Sequence, residues 1–305
     1  MNYIQQAYKG ELGMWKYLII PILFFGLMFL NFLAMMVLDL DVDKIIQTEI
    51  ENKGATRFLI ESLIPFAVGL AAVLLWTKYV HQQSLTSLTT SRKKIDWKRV
   101  FFAFFLWGIV TTAFLMIDYF TSPENYQWNF NLNKFLVLLL VAVLLIPLQT
   151  SFEEYLFRGY LMQGLGVATK TRWFPLIFTS VVFGVLHIAN PEVSKLGYEL
   201  LIYYIGTGFF LGILTLMDEG LELALGFHAA NNLFTAVLVT ADWTVFQTDS
   251  VLIDMSEPAL GADVYLPVFV IFPILLFVFA KKYKWSNWSD KLFGKIEKPV
   301  TLTDN

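Results

Sequence analysis

The sequence predicts an all-α protein, a polytopic bundle of about eight transmembrane helices, on three observations. Hydrophobic residues make up 57% of the 305-residue chain and charged residues only 15%, whereas a soluble domain has about a quarter of its residues charged. The apolar residues gather in long runs, which is typical of membrane spans. The charged residues gather between those runs, so we expect the runs to cross a bilayer.

The apolar runs place the spans in order along the chain, near residues 15–38, 58–80, 100–120, 132–152, 173–189, 198–217, 224–240 and 264–280. The fifth and seventh are short, closer to helices buried in a bundle than to lipid-facing ones. The first run is longer than the hydrophobic region of a signal peptide, and no small-x-small cleavage site follows it. We therefore interpret it as a retained first span.

Loop charges predict the orientation in the membrane. The segment 78–99 carries six Lys or Arg against one Asp, and 281–298 carries six Lys, whereas 39–51 and 242–263 are mostly acidic. The positive-inside rule then places both termini in the cytoplasm, which requires an even number of spans. One loop on the predicted cytoplasmic side does not fit this charge pattern, because it carries three acids: Asp218, Glu219 and Glu222. We expect residues 281–305 to form a short, mobile basic tail.

Composition excludes several other classes of function. The net charge is only −3, so nothing in the bulk charge indicates a nucleic-acid partner. The chain has no cysteine, which removes disulfides, thiolate metal sites and a cysteine nucleophile. The partner that composition does predict is the lipid bilayer.

Ionisable residues inside predicted spans are costly and usually functional. They occur here in three clusters: Glu153-Glu154-Tyr155-Leu156-Phe157-Arg158-Gly159, then His187 after Phe183-Gly184-Val185-Leu186, then His228-Ala229-Ala230-Asn231-Asn232. On a helix, Glu154 and Arg158 share a face and can pair, whereas Glu153 points about 100° away. His228 and Asn232 have the same i, i+4 spacing and present an imidazole beside an amide.

These residue types suit hydrolysis by water. A carboxylate in a low-dielectric site can act as general base, with a histidine sharing the activated water. A second histidine and an amide can donate hydrogen bonds to an oxyanion. Glu153 is the better base, because its i±3 and i±4 neighbours include no cation, whereas Glu154 can pair with Arg158. Alternatively, Glu153, His187 and His228 hold a divalent metal such as zinc and its water.

Other polar and small residues suit structural roles. His81 follows a span in the basic loop and is interpreted as a packing residue. Glu61, near the start of the second span, suits snorkelling or capping. Gly208 and Gly212 form a GxxxG pair that favours close helix packing.

The three motifs, in this order, resemble the CPBP family, the CAAX protease and bacteriocin-processing intramembrane proteases, also called the ABI family. The match covers roughly residues 130–240. The resemblance implies a helical bundle with a central polar cavity open to the cytosol. It implies that Glu153 and His187 activate water, that His228 and Asn232 form the oxyanion hole, and that Glu154 and Arg158 orient the site. It leaves open whether a metal takes part.

We therefore expect a membrane endopeptidase that cuts a protein or peptide beside a membrane anchor, in a bacterial inner membrane. Helices and a basic loop would fill 1–130, the catalytic helices 131–240, and a last span and tail 241–305. Two alternatives are a non-catalytic immunity or scaffold protein of the same fold and a proton-coupled transporter. A transporter would be favoured by inverted repeats, which we do not find in the sequence.

Depth in the membrane adds one expectation. His187 lies roughly 21 Å along its helix from Trp173, at about 1.5 Å per residue, so it would not meet Glu153 if the fourth helix ended there. We therefore expect a long fourth helix that reaches about Leu165, broken or bent at Pro147, with the loop 166–172 as its inner end.

Overall fold

The computed structural model describes residues 1–299, and only the backbone of Asp263. The α-helices are α1 (Met14–Val37), α2 (Val42–Lys53), α3 (Ala55–Tyr79), α4 (Leu85–Thr89), α5 (Trp97–Thr121), α6 (Leu132–Glu154), α7 (Met162–Thr169), α8 (Trp173–Val185), α9 (Pro191–Leu196), α10 (Leu201–Asp218), α11 (Glu222–Leu238), α12 (Ala262–Leu266), α13 (Phe272–Tyr283) and α14 (Trp288–Phe293). Short 3₁₀ segments span Ile4–Lys9, Pro123–Asn125, Leu186–Ala189 and Tyr198–Leu200. The π-helical segments are Tyr155–Leu161 and Pro267–Ile271.

Helical passes run back and forth between two ends of the bundle, and one lies at each of the eight predicted positions. Six are long and apolar enough to cross a membrane: Met14–Val37, Ala55–Tyr79, Trp97–Thr121, Leu132–Thr169, Tyr198–Asp218 and Val264–Tyr283. This confirms a polytopic, all-α membrane protein. The passes through α8 and α11 are shorter, so a count of eight spans stays a prediction.

The helix ends follow from local side-chain chemistry. Asp41, Asp96 and Asn131 each accept a backbone N–H from the first turn of the helix that follows, which satisfies a donor without an intrahelical partner. Two other helices, α7 and α10, end where Lys170 and Glu219 adopt left-handed backbone conformations.

The fourth pass is one continuous helix from Leu132 to Thr169, longer than a bilayer requires. The expected extension past Glu153 is therefore confirmed. The helix is not broken at Pro147, because α6 continues through it, and a bend there stays a prediction. The irregularity is instead the π-helical segment Tyr155–Leu161, and such segments are frequent at functional sites.

We call one end of the bundle the basic face, because the N-terminal segment, the described end of the tail and the Lys- and Arg-rich loops meet there. The Tyr3 amide donates to Glu219 over 2.5 Å, and Gln5 donates to the carbonyl of Glu297 over 2.9 Å. The three acids that dissented from the orientation rule lie here too. Arg92 pairs with Asp218 and Glu222, so these acids are neutralised rather than added to the surface charge.

We call the opposite end the acidic face, formed by the segments 38–54, 122–134, 190–199 and 239–262. They contain twelve Asp or Glu and four Lys. A three-stranded sheet joins two of them, with β1 (Tyr126–Trp128) antiparallel to β3 (Leu252–Asp254) and β2 (Val239–Thr240) parallel to β3. Ion pairs such as Lys195–Asp43, at 2.7 Å, join the segments further.

The tail after α13 is packed rather than mobile as far as the structure describes it. Helix α14 follows it, Ile296 is only 1% exposed, and Lys295 forms a β-bridge with Thr171. The expectation of a mobile tail is therefore wrong for residues 284–299, and its last residues lie outside the described part of the chain.

The core that supports the functional residues is aromatic and closely packed. Phe152, Phe157, Phe183 and Phe227 are all at least 98% buried around the fourth helix. Helix α10 approaches α8 closely because Gly208 lacks a side chain, and a Cβ there would lie 2.5 Å from the carbonyl oxygen of Ser180.

Candidate active site

Helices from three parts of the chain bring the predicted polar clusters together around one cavity of about 370 Å³. The fourth helix supplies Glu153, the 3₁₀ turn after α8 supplies His187, and α11 supplies His228 and Asn232. All four side chains line the cavity, as the sequence predicted. Glu154 and Arg158 lie behind the wall, fully buried.

The Glu154 carboxylate joins Arg158 and His228 behind the cavity wall. Its Oε1 accepts a hydrogen bond from Arg158 over 3.0 Å and contacts His228 Nδ1 at 2.8 Å. Arg158 also donates to the carbonyl of Gly208 over 3.1 Å, which the close approach of α10 permits. The predicted Glu154–Arg158 pair is thus present, and it orients His228 as well.

Glu153 lies between His228 and an amide. Its Oε1 accepts from Gln149 over 2.5 Å, and its Oε2 is 3.6 Å from His228 Nε2. Glu153 Oε2 has no hydrogen-bond partner within the described residues. The charges of Glu153, Glu154, Arg158 and His228 sum to zero when one proton is placed on either His228 or Glu153, so this pair can exchange a proton at constant net charge.

A chain of amides holds Glu153 in place. It passes from Trp107 Nε1 to Asn231 Oδ1, from Asn231 Nδ2 to Asn232 Oδ1, from Asn232 Nδ2 to Gln149 Oε1, and from Gln149 Nε2 to Glu153 Oε1, over 3.0, 3.1, 3.0 and 2.5 Å. Indole nitrogen only donates and a carboxylate only accepts, so the direction of every bond is fixed from its two ends. The orientation of the Asn232 amide follows from this chain.

His187 is oriented by different neighbours. Its Nδ1 lies 2.8 Å from the carbonyl of Phe183 and therefore carries a proton, which leaves Nε2 as an acceptor in the neutral ring. The ring stacks on Tyr204 with centroids 4.4 Å apart. His187 and Glu153 both line the cavity, and no hydrogen bond joins their side chains within the described residues.

Sequence reasoning found no cation at i±3 or i±4 of Glu153, and it overlooked the hydrogen bond that the Gln149 amide donates to this carboxylate. Gln149 lies four residues before it, and the i, i+4 rule that identified the Glu154–Arg158 pair applies equally to Gln149. The roles of Asn231 and Trp107 were also missed. Trp107 lies on another helix, α5, so no local spacing rule could connect it to the site.

The proposed zinc ligands do not form a metal site in this arrangement. Within residues 1–299, no three His, Asp or Glu side chains are grouped as a set of metal ligands. His228 Nδ1 is engaged by Glu154 and His187 Nδ1 by the backbone. Both rings keep Nε2 for a ligand, but Glu153, His187 and His228 do not form a group that could hold one ion within the described residues. The metal stays a prediction from the sequence, and we derive no step through it.

His81 and Glu61, to which the sequence analysis assigned structural roles, lie away from the cavity. His81 is 1% exposed, and its two ring nitrogens contact the carbonyl of Glu11 and the hydroxyl of Tyr160, each at 2.9 Å. Glu61 pairs with Arg57 and Lys53 at the surface. Neither lines the cavity.

The cavity extends from Glu153 toward the acidic face. The lining residues that lie outside the long helices come only from that face: Ile46, Asn190, Glu192, Val245, Phe246 and Gln247. A cavity open to the cytosol and cytoplasmic termini were both expected, and both stay predictions.

A polar centre inside a helical membrane bundle is the arrangement expected of an intramembrane protease. Residues 132–234 match the family model described as type II CAAX prenyl endopeptidase Rce1-like. This part of the chain therefore matches an Rce1-like domain, which confirms the resemblance to the CPBP family.

The chain is also similar to a bacterial protein along most of its length. It is 29% identical to the uncharacterized protein YyaK of Bacillus subtilis (strain 168) over 259 residues, which cover 81% of this chain and 85% of that protein. No solved structure matches the chain.

Proposed function

We propose that this protein is an intramembrane endopeptidase that hydrolyses a peptide bond of a membrane-associated protein or peptide by a water that Glu153 activates. The observation that carries the proposal is the unpartnered Glu153 Oε2, which lines a cavity shared with His187, His228 and Asn232. The family match to membrane proteases supports the same chemistry.

The first step adds water to the scissile carbonyl. A water in the cavity gives one proton to Glu153 Oε2 and directs the other toward the Nε2 lone pair of His187, while its oxygen bonds to the carbonyl carbon. The C=O π electrons move to oxygen. A protonated His228 Nε2 and the second N–H of the Asn232 amide can donate to that oxyanion.

The second step breaks the C–N bond. The proton held by Glu153 passes to the leaving nitrogen, the oxyanion re-forms the C=O bond, and an amine and a carboxylic acid are released. Glu153 returns to its ionised state, in which the Gln149 amide supports it. Glu154 and Arg158 do not contact the substrate, and they keep His228 oriented throughout.

The test uses the purified protein in nanodiscs with a library of membrane-anchored peptides. Glu153→Gln should abolish cleavage and leave the melting temperature within a few degrees of the wild type. Glu222→Gln is the matched control, because Glu222 is also a fully buried carboxylate but lies outside the cavity. Near wild-type cleavage by Glu153→Gln would refute the base assignment. Absence of cleavage by the wild type on every anchored peptide would favour a scaffold of the same fold.

A further inference from the structure

The catalytic cavity is closed toward the basic face by buried side chains. The Tyr3 hydroxyl lies 2.7 Å from the carbonyl of Leu88 and 3.1 Å from that of Arg158. Beside it, Gln163 donates to the carbonyl of Ser87 and accepts from Gln83. Tyr3, Arg158 and Gln163 are fully buried, so they close the route from the basic face to Glu153.

Toward the acidic face the cavity wall is instead made of short helices and loops. Ile46 lies on α2, Asn190 and Glu192 lie just after His187, and Val245 lies in the segment between β2 and β3. Val245 is 38% exposed. A substrate that reaches the reacting groups through the loops must pass these residues.

This route carries one anion among apolar and amide side chains. Glu192 lines the wall, and its two carboxylate oxygens accept one hydrogen bond each, from the Tyr204 hydroxyl over 3.1 Å and the Val245 amide over 3.2 Å. Tyr204 in turn stacks on His187. The negative charge of Glu192 is therefore held rigidly at the wall, next to the residue that orients a catalytic group.

The cavity also contains buried polar atoms with no partner in the described residues. Thr207 Oγ1 lines it with 7% of the residue exposed, and Glu153 Oε2 does so with 9%. Unpaired buried oxygens cost free energy unless a ligand or water meets them. Thr207 Oγ1 and Glu153 Oε2 therefore mark the inner end of the substrate route, and Glu192 marks its outer end.

We infer, resting on the proposed function, that the enzyme takes its substrate from the acidic face, and that the substrate is a cationic peptide segment whose Lys or Arg side chain is received by Glu192. If the basic loops are cytoplasmic, as the positive-inside rule requires, the acidic face is the outer one. The substrate is then an exported or outward-facing polypeptide near its membrane anchor.

Accessibility tests the side of the cavity without any need for catalysis. The chain has no cysteine, so Val245→Cys and Lys93→Cys each introduce one thiol, at the cavity wall and in the basic loop. In right-side-out vesicles a membrane-impermeant maleimide should label Val245→Cys and spare Lys93→Cys, and inverted vesicles should give the reverse. Labelling of Val245→Cys from the cytoplasmic side only, or only after detergent, would overturn the inference.

Charge selectivity tests the role of Glu192. Paired anchored peptides that differ by Lys or Gln near the cleaved bond should give a kcat/KM ratio of at least tenfold in favour of Lys. Glu192→Gln should bring that ratio close to one, whereas Glu199→Gln, a change of an exposed carboxylate on the same face, should leave it unchanged. A ratio that survives Glu192→Gln would overturn the assignment. A wild type that cleaves neither peptide would count against the proposed function, while the labelling result would still stand.

Discussion

Gln149 offers the sharpest test of how the site is organised. Gln149→Met keeps the length and volume of the side chain but removes the bond to Glu153, at 2.5 Å, and the bond from Asn232, at 3.0 Å. The base then loses its fixed position and the amide of Asn232 loses its orientation. Both are groups that the proposed reaction needs held in place before the substrate arrives.

The size of the effect follows from the bond to the carboxylate. A hydrogen bond to a charged group contributes about 1.5–3 kcal/mol, and about 1.4 kcal/mol corresponds to a tenfold change in rate. We therefore expect kcat to fall by about 10- to 150-fold. The change in KM should be small, because Gln149 orients catalytic groups rather than the substrate.

Single-turnover cleavage of an anchored fluorogenic peptide in nanodiscs measures kcat, and thermal melting measures stability. Gln163→Met is the matched control, since Gln163 is a buried glutamine on the same fourth helix, also bonded at both ends of its amide, but outside the cavity. It should lower the melting temperature and leave kcat nearly unchanged. If Gln149→Met cleaves within about twofold of the wild type, the amide chain does not organise the base and the reasoning fails.

Three further changes probe other parts of the molecule. Asn232→Ala should lower kcat by about 10²-fold or more, the usual loss for one oxyanion donor; a rise in KM with unchanged kcat would mean that Asn232 binds substrate instead. Glu154→Gln should lower both rate and stability, the latter by about 3–5 kcal/mol in denaturant titrations, because it leaves the buried Arg158 without its anion; a stable, fully active variant would contradict this. Burial lowers the pKa of His81 below its ordinary value, so the unfolded chain binds the proton more readily. The contribution of His81 to stability is complete above about pH 6.5 and should be lost as the pH falls below that value. Melting curves from pH 8 to 5 measure this loss, and the fall in melting temperature with pH should be smaller in His81→Phe.

The sequence alone predicted the parts of this fold that depend on bulk hydrophobicity and on local spacing. The positions of the helical passes follow from apolar runs, and the Glu154–Arg158 pair follows from the i, i+4 rule. The length of the fourth helix also followed from a simple depth argument. These features need no knowledge of which helices are neighbours.

Features that depend on contacts between distant helices could not be predicted. The placement of His228 against both glutamates requires α11 to pack on the fourth helix, and the bond from Trp107 requires α5 to pack on α11. The packed tail was missed because its charges suggested solvent, whereas Ile296 is buried on the bundle. The direction of the cavity depends on how loops from distant parts of the sequence meet.

The docking of Tyr3 has a consequence for how the protein is made. Tyr3 is synthesised before its partners, which are the carbonyls of Leu88 and Arg158 and the side chain of Glu219. More than two hundred residues must therefore be synthesised before Tyr3 can complete its contacts, since 216 positions separate it from Glu219. A nascent chain stopped before α10 would have the carbonyls of Leu88 and Arg158 but not Glu219, so the Tyr3 amide would lack its partner.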